Sequence, residues 1–229
     1  MPIDITDQGI GFPFLHYSDF SLYLQCHRGH VDDTLRLEDA GRQLFGKLLK
    51  NSASEIEVMD FFESVFDWGG NQHELKGKVL SANTKSSIVA AFQTAAGKLS
   101  DIDAQAGQDT FELSIETLRA ICKLKNLGIS YGSKVLRLLR SDLFGVRDSK
   151  VDDFVLYENV PTYEEDKQRH YESRYRNFAE YSSQCVQVAE AINGIGVSHP
   201  DGLAKPLWDA GDVDAVIFTK IQILLKEWT

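Results

Sequence analysis

Apolar residues in this chain recur mostly three and four positions apart, the spacing of amphipathic helices rather than of strands. Residues 1–15, with Gly9, Gly11 and Pro13, read as an irregular leader. Tyr17, Phe20 and Tyr23 predict a short helix over His16–Gln25. Asp32-Asp33-Thr34 predicts the cap of a helix running to about Lys50, with Leu35, Leu37, Leu44, Leu48 and Leu49 as its apolar positions. Another helix starts at Ser54, carries Ile56, Met59, Phe61, Phe62, Val65 and Phe66, and stops at Trp68-Gly69-Gly70. Helical patterning resumes over His73–Ala82 and Lys85–Lys98, and the polar stretch Ser100–Asp109 reads as a loop.

Asp109 and Glu112 have capping-box spacing before a helix whose Phe111, Ile115, Leu118 and Cys122 share one face. Its expected end is Leu127-Gly128, on the left-handed conformation glycine allows. A second helix is expected from Ser133 to Arg140, and helical turns over Val151–Tyr157. Thr162 and Glu165 open a long helix to about Asn193, with Tyr171, Tyr175, Phe178, Cys185 and Ile192 inward. A last helix runs from about Asp212 to Trp228, with Val213, Val216, Ile217 and Leu224 inward. No alternating strand pair stands out, so the predicted fold class is all-α or nearly so.

A chain of 229 residues is long enough for one domain or two packed lobes. No apolar run reaches the ~20 residues of a membrane helix. The acidic start, MPIDITDQ, lacks signal-peptide order, which with three scattered cysteines predicts a cytoplasmic protein with free thiols. The six histidines show no ligand spacing, so no metal site is expected.

Net charge changes the picture more. The chain carries −10, yet eight basic residues between Arg119 and Lys150 face only Asp142 and Asp148. That segment is locally +6 and leaves −16 for the rest, an asymmetry expected of an anion-binding face. Within it, Gly128, Ser130, Gly132 and Ser133 are small enough to admit a sugar–phosphate backbone beside helix-terminal amides. Lys134 is expected in the first turn of the second helix, where the dipole disfavours its charged form, as amine nucleophilic catalysis requires. Asp148 is expected to face it, and it also has the position of an N-cap for the following turns.

The run LGISYGSKVLRLL followed by FGVRDSKV resembles the helix–hairpin–helix motif and following aspartate of the helix–hairpin–helix DNA glycosylases, most of all their 8-oxoguanine branch. Gly132-Ser133-Lys134-Val135 stands where that family has Gly-Thr-Lys-Val, and Arg147-Asp148 where it has Val-Asp. The hairpin reads Ser130-Tyr131-Gly132 in place of Gly-Val-Gly, and the matching span is roughly 110–157. The resemblance implies two helical lobes flanking a cleft. One contains the motif, over about 85–160, and the other is made of N- and C-terminal helices. It implies a DNA glycosylase and AP lyase excising an oxidised purine such as 8-oxoguanine from double-stranded DNA. Lys134 would form a Schiff base, with Asp148 stabilising the sugar cation and helping to deprotonate the nucleophile. Gly128, Ser130, Tyr131, Gly132, Ser133 and Arg137 would contact DNA, and hairpin carbonyls would hold a monovalent cation. Outside the matching span, Trp68 and Gly69 are candidates to line a base pocket, since a flipped base is gripped by stacking on aromatics, with a buried Trp that closes its helix as the other reading. An iron–sulfur cluster needs four cysteines, and the chain has three. The altered hairpin and acidic body support a second expectation, a non-catalytic DNA- or protein-binding component of a larger system such as bacterial defence.

Overall fold

The computed structural model describes residues 5–6, 9–10, 15–30, 33–70, 73–105, 110–147, 151, 167–202 and 205–225. The α-helices among them are α1 (Phe20–His30), α2 (Thr34–Leu49), α3 (Glu55–Trp68), α4 (His73–Ala82) and α5 (Lys85–Ala104). They continue with α6 (Phe111–Cys122), α7 (Ile129–Leu139), α8 (Lys167–Gly194) and α9 (Ala210–Leu224). The leader holds one short antiparallel pairing, β1 (Ile5–Thr6) with β2 (Gly9–Ile10), which two-residue strands are too short to announce as alternation. The all-α class therefore stands for the described residues.

Local chemistry explains most of the boundaries. Ser54 caps α3 by accepting the Glu57 N–H while the Glu57 carboxylate takes the Ser54 N–H, a full capping box. Asp209 and Asp212 repeat the device at α9. The Glu57 carboxyl is held down to about 2, by its bond from the Lys47 ammonium first and then by Ser54. Because the folded value lies below the ordinary 4.5, Glu57 adds stability above that pH and loses it as pH falls toward 2. A Glu57→Gln variant is thus expected to be less stable than wild type at neutral pH. In thermal melts across pH, the two should converge near pH 2; a constant gap would refute the assignment.

Other ends moved, for tertiary reasons. The α5 helix runs on to Ala104, through the first half of the expected loop. Leu99 and Ile102 are buried, continuing its apolar stripe, and Asp103 is tied to the Arg140 guanidinium by two hydrogen bonds of 2.8 Å. Asp33 occupies the N-cap position of α2 in the left-handed region, φ 64°, with no side-chain cap bond, and its carboxylate pairs instead with Arg36. Leu49, Ile56, Tyr171 and Leu224, expected on apolar faces, are exposed. Asp109, Asp148, Lys150, residues 152–157, Thr162 and Glu165 lie outside the described residues.

Two apolar cores result. One joins α2 to α7 and takes Phe178 from α8, and Phe61, Phe62, Phe66 and Phe92 pack edge to face within it. It begins at Leu37, well before residue 85. The other joins Leu15, Phe20 and Leu24 to Tyr181 and Cys185 of α8 and to α9, with Trp208 buried in it. The α7 helix lies against α2, α3, α6 and α8, and nine of its eleven residues are buried.

Candidate functional site

The site is built on the α6–α7 hairpin, residues 123–128. Its sharp reversal falls on Asn126, at φ 64°, and not on Gly128, which is extended at φ −84° and serves as the N-cap position of α7. The turn is clamped from the end of α4. Asn83 donates its amide to the Lys125 carbonyl and accepts the Lys125 N–H, both at 2.9 Å, and Asn126 donates to the Lys78 carbonyl. Nothing in the linear pattern marks Asn83 for this, because its partner is 42 positions away. The Leu124, Lys125 and Gly128 carbonyls accept bonds from Leu127, Asn83 and Gly132 respectively.

The second helix starts four residues earlier than expected, at Ile129, so Lys134 is its sixth residue and sits in the second turn. The charge of a helix end falls off within the first turn, which removes the dipole argument for an unusual Lys134 amine. Gly132 lies inside the helix, not in the turn. A Cβ there would come within 2.5 Å of the Cys122 Sγ and 3.0 Å of Leu118, so this glycine lets α6 and α7 close on each other. Burial in the same contact pushes the Cys122 thiol up to about 12, keeping it an inert thiol.

Lys134 is half-buried and lies along α3's terminating turn. Its Nζ is 4.7 Å from the Tyr131 ring centroid and 3.4 Å from the Ser130 hydroxyl. The Tyr131 hydroxyl donates to the Gly69 carbonyl at 3.0 Å, and its ring stacks on Phe66 with centroids 4.9 Å apart. Trp68, half-buried, donates its indole N–H to Thr34 and lies under the Arg137 guanidinium. The fold therefore gathers Lys134, Tyr131, Ser130, Trp68 and Gly69, which come from segments more than sixty residues apart. Asp148 lies outside the described residues. Its predecessor, Arg147, donates its N–H to the Ser133 hydroxyl at 2.9 Å, and that hydroxyl lies 3.4 Å from the Arg147 carbonyl and 2.9 Å from that of Ser130.

The basic segment is spent largely inward. Arg137, assigned above to DNA, is 1% exposed and bonds to Glu38 and to the Gly211 carbonyl. Arg140 is held by Asp103 and Asp142, and Arg119 pairs with Glu172. Tyr131, Gly132 and Ser133 are likewise buried. Gly128 is exposed and Ser130 half-buried, and the exposed Lys123 and Lys125 edge a groove of about 500 Å³ that Asn83, Thr84 and Ser87 also line. The acids that offset the positive charge come from α2, α5 and α8, so a count along the chain could not pair them.

No family model, curated protein or solved structure matches this chain.

Behind Lys134, Arg137 opens a buried ionic seam between the two cores. Glu38, 1% exposed, also faces Lys205 at 3.4 Å, and Lys205 reaches Asp209 at 2.8 Å and Asp212 at 2.9 Å. Asp212 in turn bonds to His199, whose other nitrogen accepts the Asp201 N–H. Burial alone would raise the Asp212 carboxyl, but His199 and Lys205 outweigh it and hold it low. Glu38 did carry a signal. It interrupts the stripe of Thr34, Leu37, Gly41, Leu44 and Leu48, and a charge on an apolar face needs a partner. Among the described residues there is no group of three or more His, Cys, Asp or Glu arranged to hold a metal ion, and no helix long and apolar enough to cross a membrane.

Proposed function

We propose that the chain is a helix–hairpin–helix type DNA glycosylase with AP lyase activity on an oxidised purine such as 8-oxoguanine. The observation that carries it is the Ser133–Arg147 latch. The residue before the candidate nucleophile holds Arg147, the residue before the candidate acid, although 14 positions separate Ser133 from Arg147. The approach of the Lys134 stem to Gly69, next in the chain to Trp68, adds support, since an extruded base is gripped by stacking on aromatic faces.

The chemistry follows from an amine placed at an extruded nucleotide. The Lys134 nitrogen lone pair bonds to the sugar C1′ while the glycosidic C–N bond breaks and its electrons leave with the base. The nitrogen loses a proton to a base, the role assigned to Asp148; its lone pair then forms the C1′=N bond as the C1′–O4′ bond breaks, and O4′ takes that proton. Removal of a C2′ proton then expels the 3′-phosphate by β-elimination. Borohydride reduces the imine to a stable amine, which gives the test. Wild-type protein with a duplex containing 8-oxoguanine should form a covalent adduct, and Lys134→Gln should lower adduct and strand scission at least about a thousandfold. An undiminished adduct in the variant, or none in wild type, defeats the proposal.

A second reading has its own observation. Arg119, Arg137 and Arg140 are all paired within the chain, as suits a glycosylase-like helical protein that binds DNA or another protein without cutting, as one component of a defence complex. It predicts salt-sensitive duplex binding with no scission.

A further inference from the structure

The residue that departs most from the resembled hairpin, Tyr131, occupies an unexpected place. Where a small apolar side chain would stand, there is a buried aromatic ring, 5% exposed, aimed away from the hairpin surface and toward the end of α3. Three contacts fix it. Its hydroxyl donates to the Gly69 carbonyl, one face stacks on Phe66 at an interplanar angle of 19°, and its edge fills the space that a Cβ on Gly69 would claim, 2.9 Å away. The Lys134 ammonium lies over the ring, 4.7 Å from its centroid, and the Lys134 Cδ passes 3.1 Å from the same missing Cβ. A ring held at three points is a rigid platform. An ammonium over an aromatic face is attracted to the negative quadrupole of that face.

We infer that Tyr131 is a positioning residue for Lys134: its clamped ring sets where the amine rests, beside the Trp68-Gly69 turn. Gly69 belongs to the same device, because any larger residue there would displace both the ring and the lysine stem. A flexible four-carbon side chain loses much rotamer freedom when it acts from one geometry, and a platform made of folded-state contacts supplies that ordering before substrate arrives. The inference rests on Lys134 being the nucleophile for its purpose, but the platform itself is a statement about the free protein.

The experiment is chosen to separate the two. Lysines of the intact chain are reductively methylated with carbon-13 and observed by NMR, and Lys134→Arg identifies the Lys134 signal. The expected result is a Lys134 methyl resonance displaced upfield by the ring current of Tyr131. Tyr131→Phe should keep the displacement, and Tyr131→Leu should abolish it. Borohydride trapping, with unmethylated protein, should fall by about tenfold in the Leu variant, because the amine is no longer held in one place, and much less in the Phe variant. A Lys134 signal at the ordinary lysine position, or one unmoved by Tyr131→Leu, overturns the inference. Equal trapping losses in Phe and Leu also overturn it, by assigning the effect to the hydroxyl. If Tyr131→Leu fails to fold, the wild-type displacement and its retention in the Phe variant still decide. An upfield Lys134 signal in a protein that traps no DNA supports the platform and rejects the glycosylase.

Discussion

Glu38→Gln is expected to destabilise the protein by about 3–5 kcal/mol, the usual cost of removing one member of a buried ion pair. Glu38 and Arg137 expose 1% and 2% of their side chains, so water cannot replace the lost carboxylate. The Arg137 guanidinium would keep its bond to the Gly211 carbonyl and a distant Asp214 at 3.9 Å, which is too little for a buried positive charge. Lys205 would lose one of its three acidic neighbours as well. In a domain of this size the loss corresponds to a fall in Tm of roughly 10 °C. Replacing both partners by apolar residues, Glu38→Leu with Arg137→Met, should recover much of it, since the two facing charges are then removed together. Urea unfolding of the two variants checks the pair of statements. A single-variant loss below 1 kcal/mol would mean that the seam is more hydrated than its burial implies. The effect reaches the site, because Arg137 is one turn beyond Lys134 and lies over Trp68.

Gly41→Ala is expected to cost about 3 kcal/mol or more, the upper end of overpacking penalties. Judged by helix propensity alone, the change should help by up to ~1 kcal/mol, since Gly41 lies inside α2. The tertiary contact reverses the sign. A Cβ on Gly41 would lie 1.9 Å from the Leu138 carbonyl oxygen and 2.7 Å from its carbon. Both are backbone atoms of α7, which no rotamer change can move aside, so α2 and α7 must separate. The Glu38–Arg137 pair bridges the same two helices and would lengthen with them. Gly46→Ala, on the same helix with open space around it, serves as the matched control and should be neutral or slightly stabilising. Thermal unfolding that ranks Gly41→Ala with Gly46→Ala would contradict the close approach.

The two glycines show how far a linear reading extends. Both sit in the same helical pattern, and only the neighbouring helix distinguishes them. Glu38 was readable as an anomaly, a charge on an apolar stripe, but its partner on α7 was not, because 99 positions separate them. The basic segment was read correctly as a charge asymmetry along the chain. Its orientation was not readable, since Glu38, Asp103 and Glu172 arrive from helices far away in sequence. Within the candidate site, Lys134, Trp68 and Gly69 were each legible as unusual residues. Their adjacency depends on α3 packing against α7, and the same packing buries Tyr131, which the resemblance assigns to the DNA surface by its place in the hairpin.

What the sequence determined by itself is the helical content, most helix starts and the charge asymmetry of the segment around Lys134. Those features are local. Caps such as Ser54 with Glu57 and stripes at spacings of three and four are complete within one helix, and the energies that favour them depend on neighbours a turn away. The tertiary structure alone decided the early start of α7, the burial of Arg137, the clamp of Asn83 on the hairpin and the place of the Lys134 amine over Tyr131. Each of these is settled by a partner dozens of residues distant, and the free energy of burying a charge or closing two helices on a glycine exists only once both partners are in contact.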